Sequence, residues 1–133
     1  MKTAPSPVSK AFLVCDKIVT ENGRTSLLNL ADAVVSRFFP AAHLLGIYSR
    51  WGSAHGDYEV EVQLQTPDEK VVWRGGPPEK RSMPDALRYY DMNLNLNVVF
   101  PEPGTYDLVL LANGEEIARQ KINARVKSKP AEQ

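Results

Sequence analysis

MNLNLNVVFPEPGTYDLVLLANGEEIA, residues Met92 to Ala118, holds a strand, a corner and a hairpin in succession. Met92, Leu94, Leu96 and Val98 alternate with Asn93, Asn95 and Asn97, the period of two expected of a strand with one buried face and one wet face. Pro101, Pro103 and Gly104 end that strand, because proline has no N–H for a ladder and glycine accepts positive φ. A second β-rich run, Thr105 to Ala112, follows. Asn113-Gly114 suits a two-residue type I′ turn, so Glu115 to Val126 is expected to return antiparallel beside that run. The return strand carries a conflict of phase. Strict pairing puts Ile117 opposite Leu110, Arg119 opposite Leu108 and Ile122 opposite Thr105, which leaves Ile117 and Ile122 on opposite faces. A β-bulge between Ala118 and Lys121 is expected to bring Ile122 back to the core side.

The same grammar extends outward. Ala11 to Thr20 is a β-branched, apolar run, and Asn22-Gly23 turns it tightly into Ser26 to Ala31, paired with Val14 to Val19. Leu27 to Val35 would also suit a helix on propensity. The short length and the preceding hairpin turn favour strand, with Ala33 to Phe39 as a further run and a helical turn around Pro40 to His43. Leu44 to Trp51, Tyr58 to Thr66 and Lys70 to Arg74 read as an antiparallel meander. In it Tyr58, Val60, Val62 and Leu64 face inward and Glu59, Glu61, Gln63 and Gln65 face water. GGPPEKRSMPD, Gly75 to Asp85, reads as a long connection that carries the chain from one sheet to the other. The expected fold is all-β, an immunoglobulin-like antiparallel β-sandwich of about eight strands. It forms a single domain over residues 11–126, between flexible segments at 1–10 and 127–133.

Bulk composition narrows the functional classes. A chain of 133 residues can bury a core without metals or disulfides, and 16 basic against 16 acidic residues leave no net charge to steer it toward nucleic acid or anionic lipid. The single cysteine, Cys15, lies in an apolar run and needs no oxidising compartment. No stretch approaches the length of a membrane span, so a cytoplasmic protein is expected, with no membrane partner.

The segments FLVCDKIVTENGRTSLLNLADAVV and FPEPGTYDLVLLANGEEIA together resemble a family of uncharacterised bacterial proteins of about this length. The residues that carry the resemblance, Cys15-Asp16, Asn22-Gly23 and Pro103-Gly104-Thr105-Tyr106, are turn, corner and core residues. It implies a fold and transfers no catalytic residue. The PGTY segment is similar to the corner of many immunoglobulin-like domains, where a tyrosine hydroxyl bonds backbone across the sandwich; the resemblance assigns that part to Tyr106.

Each residue suited to chemistry also has a simpler reading. His43 and His55, the two histidines, lack partners at zinc-site spacing and read as surface loop residues, so no metal or other cofactor is expected. Cys15 beside Asp16 could be a nucleophile, but Leu13 and Val14 argue for a buried core thiol, and Asp16 reads as structural. Trp51, His55 and Tyr58 gather around one loop and could stack a sugar or a base, although aromatic caps on a core are the commoner arrangement; Trp73, expected near Gln63, lies too far along the sheet to join them. Arg74, Lys80, Arg81 and Arg88, followed by Tyr89 and Tyr90, form a locally basic loop with no nucleic-acid motif. The candidate contact residues are therefore Trp51, His55, Tyr58, Arg74, Arg81 and Tyr89. The expected function is a non-catalytic protein-binding or assembly module, engaging a protein partner or a second copy of itself. The competing readings are a carbohydrate- or nucleic-acid-binding domain, or an enzyme with a site near Trp51, His55 and Asp57.

Overall fold

A computed structural model describes residues 4–127. They form ten strands: β1 (Val8–Glu21), β2 (Arg24–Leu30), β3 (Ala33–Ser36), β4 (Ala41–Gly52), β5 (Gly56–Gln65), β6 (Val71–Arg74), β7 (Glu79–Met83), β8 (Tyr90–Phe100), β9 (Gly104–Ala112) and β10 (Glu115–Val126). Two open sheets result. One has the order β2-β1-β4-β8, and the other has β3-β10-β9-β5-β6 with β7 paired to β5 beyond β6. Their facing surfaces share one hydrophobic core, built from Phe12, Val14, Leu45, Ile47, Trp51, Met92, Val98 and Phe100 on one side. The other side supplies Tyr58, Val60, Val62, Leu64, Tyr106, Leu108, Leu110, Ile122 and Ala124. The alternation in β8 is realised: Met92 and Val98 are buried, Leu94 and Leu96 are half-buried, and Asn93, Asn95 and Asn97 are exposed.

Both Asn-Gly turns form. Asn22 and Gly23 take φ of 50° and 72°, Asn113 and Gly114 take 50° and 81°, and β1 pairs β2 from Cys15↔Leu30 to Glu21↔Arg24. The second turn does more than reverse the chain. Asn113 Oδ1 accepts a 2.8 Å hydrogen bond from Glu59 N–H, and Asn113 Nδ2 donates at 3.4 Å to Asp57 O, which ties the hairpin to β5. Asn113→Ala therefore loses two hydrogen bonds along with a residue tolerant of left-handed φ, while Gly114→Val meets only the backbone penalty. We expect each to lower stability by about 1–2 kcal/mol. The measurement is the urea midpoint of each variant, and unchanged midpoints would contradict the turn geometry.

The bulge in β10 exists, but it falls earlier than the sequence suggests. Glu115↔Ala112 and Glu116↔Leu111 pair in order, Ile117 is the extra residue, and Ala118↔Leu110, Gln120↔Leu108 and Ile122↔Tyr106 follow. Ile117 is the first apolar residue after the turn, so the phase conflict is resolved where it arises. Ile117 stays half-covered while Ile122 and Ala124 are buried.

Other expectations are corrected. β3 pairs β10 in parallel, so the fold is not wholly antiparallel. The segment at Pro40 to His43 is not a helical turn, because Ala41 already begins β4. β4 lies in the opposite sheet from β5, so the chain crosses between sheets at Ser53 to His55 and the meander is confined to β5 and β6. The connection Gly75 to Asp85 contains a strand: β7 pairs Gly56 to Val60 of β5, and the crossing follows it, after Met83. β6 and β7 thus act as one interrupted edge strand along β5. The interruption is Gly76-Pro77-Pro78, where two prolines offer no N–H to a ladder. At the start of the chain β1 begins at Val8, three residues before the expected Ala11. Of the expected tail only Lys127 is described, its N–H donating to Ser36 O at 2.8 Å; the rest lies outside the described residues, as does the chain before residue 4.

Candidate functional site

The residues singled out from the sequence do not converge. Trp51 is fully buried, and its ring meets Tyr58 edge-on at 5.9 Å, so this pair caps the core rather than facing a ligand. The Tyr58 hydroxyl donates to Pro5 O at 2.7 Å and accepts from His55 N–H at 2.8 Å, which fastens the N-terminal segment to the β4–β5 crossing. His55 itself is exposed. Trp51 Nε1 is buried without a partner among the described residues. Arg81 stands opposite Tyr58 in the β5–β7 ladder and pairs with Glu79 at 2.9 Å. A shallow open depression of about 550 Å³ lies here, lined by Asp57, Tyr58, Glu59, Lys80, Arg81, Ser82 and Asn113. Two acidic and two basic side chains line it, with Glu59 opposite Lys80, so the depression has no preferred charge.

Arg74 and Tyr89 belong elsewhere. Arg74 Nη1 bonds Glu61 Oε1 at 2.9 Å on the outer face of the six-stranded sheet. Tyr89 is exposed before β8, with the Arg50 guanidinium 5.6 Å from its ring centre. Arg50 also grips its register partner Asp91 through two bonds of 2.7 and 2.9 Å, which hold the Asp91 carboxyl below its ordinary range.

The expected wet face of β5 is partly covered instead. Gln63 and Gln65 are only 6% and 9% exposed, members of a row that runs from Arg74 through Glu61, Gln63 and Gln65 to Arg119 in steps of 2.9, 3.0, 3.1 and 3.4 Å. Arg119 closes the row on Asp107 at 2.9 Å and Glu116 at 2.6 Å, and its hydrogen bonds hold Glu116 below the usual carboxylate range. The long side chains shield one another, and each amide hands its N–H to the next acceptor. The sequence signal was the Glu-x-Glu-x-Gln-x-Gln alternation, but its closure depends on the register that places Arg119 and Gln63 on either side of Val109.

Cys15 is a buried thiol outside the core between the sheets, with its Sγ beside Ile18 over Gly46. It is fully buried, opposite Gly46, and burial pushes its thiol up. We expect negligible labelling by a thiol reagent in the native protein and prompt labelling in denaturant; fast native labelling would restore the nucleophile reading.

What the sequence reading missed is an apolar surface. Leu13, Leu28, Leu30 and Leu44 are exposed on β1, β2 and β4, with Leu30 at 65% and Leu44 at 66%. All lie within two residues of the row Leu30, Cys15, Gly46 that runs across these strands. Only the strand order places them together.

The two facing sheets around one core define an all-β, β-sandwich domain. Residues 10–125 match a family of unknown function, DUF6941, and the chain belongs to it. No curated protein matches the chain. Among solved structures it is similar to part of a β-glucosidase from Listeria innocua, determined in complex with glucose, at 13% identity and a TM-score of 0.48. The match covers 88% of this chain and 16% of that one.

Proposed function

We propose that the domain is a non-catalytic protein-binding or assembly module of immunoglobulin-like character, acting in a bacterial cytoplasm. The observation that carries the reading is the group of exposed leucines on the four-stranded sheet, Leu13, Leu28, Leu30 and Leu44, on adjoining strands. Four exposed leucines on three adjoining strands are more apolar exposure than scattered single side chains, and apolar groups gathered in this way are characteristic of interaction sites. The immunoglobulin-like character is supported by the corner at Tyr106. Its hydroxyl donates to Glu102 O at 2.5 Å, four residues upstream rather than across the sandwich, and its ring lies against Phe100. The cytoplasmic setting is supported by a lone, buried cysteine.

The test is light scattering on the purified protein together with recovery of partners on the immobilised domain, for wild type and for Leu30→Ser/Leu44→Ser. We expect the immobilised wild type to retain a defined partner, and the double variant to lose that partner while its circular dichroism spectrum stays that of the wild type. A wild type that stays monomeric and retains nothing would overturn the reading.

A further inference from the structure

The two sheets have four outer edges, and three of them are guarded against pairing with another chain. β3 spans four residues. The β6–β7 edge is broken at Gly76-Pro77-Pro78 and carries Lys80 and Arg81. β2 spans seven residues, carries Arg24, and has Asn29 at a φ of 58°. Short length, proline, positive charge and local distortion are the usual means of discouraging edge pairing.

β8 has none of them. It runs for eleven residues, Tyr90 to Phe100, without proline, glycine or basic residue, and pairs β4 from Trp51↔Tyr90 to Ala41↔Phe100 without a register shift. Asp91, its one charge, is already neutralised by Arg50. On the core side Leu94 and Leu96 are only half-buried, and they flank a small cavity of about 40 Å³ that opens between β8 and the interrupted β6–β7 edge. Packing is therefore incomplete at the middle of this strand.

The pattern of β8 is also self-complementary. A two-fold axis through its central residue, Asn95, pairs Asn95 with itself, Asn93 with Asn97, Leu94 with Leu96, and Met92 with Val98. Directly opposed residues in an antiparallel ladder point to the same side. Each asparagine then meets an asparagine on the wet face, where an amide both donates and accepts, and each half-buried leucine meets a leucine on the core side. The ladder brings no charge opposite a like charge. An even register also keeps both cores on the same side of the joined sheet.

We propose that a second copy of this chain adds to β8 about a two-fold axis at Asn95, joining the four-stranded sheets of two protomers into one continuous sheet. This rests on the assembly reading above and adds to it a second surface, the β8 edge, which pairs two copies of the chain and is separate from the exposed leucines of β1, β2 and β4.

Asn95→Lys tests it, because the axis sets the two lysines directly opposite each other. Asn95→Thr is the control for folding. Light scattering should give twice the chain mass for wild type and Asn95→Thr, and the single-chain mass for Asn95→Lys, with all three showing the same circular dichroism spectrum; the two dimers should melt higher as protein concentration rises. The geometry is tested by Asn95→Cys in a Cys15→Ala background. Cβ atoms of an opposed pair lie about 4.5–5.5 Å apart, so two thiols meeting at the axis are oxidised by copper-phenanthroline and dissolved oxygen to one disulfide, oxygen taking the electrons and protons. A covalent dimer on a non-reducing gel is expected. Should Asn95→Lys stay dimeric and Asn95→Cys fail to cross-link while Leu30→Ser/Leu44→Ser dissociates, the β8 contact is overturned and the module reading stands. A monomeric wild type that retains no partner overturns both.

Discussion

Phe100→Ala is expected to lower the unfolding free energy by about 3–5 kcal/mol, the range for emptying a fully buried aromatic site. Phe100 is the last residue of β8 and is completely excluded from solvent. Its ring meets Tyr106 at 5.6 Å and His43 at 6.2 Å, both edge-on, so one side chain connects the end of β8, the start of β9 and the start of β4. The chain between Phe100 and Gly104 is the Pro-Glu-Pro corner, held by the Tyr106 hydroxyl, which accepts from Glu102 N–H at 3.3 Å as well as donating to Glu102 O. Loss of Phe100 removes the packing against which the Tyr106 ring is placed. A double-mutant cycle with Tyr106→Leu should show a coupling of about 1 kcal/mol from the aromatic pair. The measurement is urea unfolding of the four proteins. A loss below about 1.5 kcal/mol for Phe100→Ala would mean that the site is open to water or collapses without cost.

Gly46→Val should be the second large effect, about 3 kcal/mol, from overpacking rather than from a cavity. Gly46 sits in the middle of β4, paired with Cys15 on one side and Asn95 on the other. A Cβ there would lie 2.8 Å from Ile18 Cγ1 and 2.9 Å from Cys15 Sγ, closer than carbon and sulfur atoms approach without displacement. Neither obstacle is the mobile end of a long chain. Ile18→Ala removes one of them, so Gly46→Val combined with Ile18→Ala should cost less than the sum of the two by about 1 kcal/mol. Additive losses, or a wild-type urea midpoint for Gly46→Val, would show that Ile18 and Cys15 do not cover Gly46.

The parts of the fold that were legible in the sequence are those set within a few residues. The Asn-Gly turns were readable because only a few residue types accept φ > 0 at both central positions, and a two-residue loop then dictates which neighbours pair. The alternation of β8 and the stop at Pro101 to Gly104 were readable for the same reason: side-chain period and missing N–H groups are local properties. Even the bulge in β10 was implied by the phase of Ile117 against Ile122, although its position depended on which apolar residue the neighbouring layer would accept. Cys15 as a buried thiol followed from its flanking apolar residues.

Pairings between strands distant in sequence were not legible, and most of the surface follows from them. Nothing in Ala33 to Ser36 announces a parallel partner ninety residues later in β10, and nothing in Glu79 to Met83 distinguishes a loop from an edge strand until β5 offers unpaired groups beside it. Trp51 and Tyr58 flank one loop, and the sequence favoured aromatic caps on a core while leaving a ligand platform open. The crossing from β4 to β5 decides between them by turning both rings inward, into the core between the sheets. The exposed leucines of β1, β2 and β4 and the unguarded length of β8 emerge only from the order β2-β1-β4-β8. The physical reason is that turn and strand preferences are decided by a residue and its immediate neighbours. Which strand lies at an edge, and which apolar side chains remain uncovered, is decided by how the whole chain distributes its burial between two sheets.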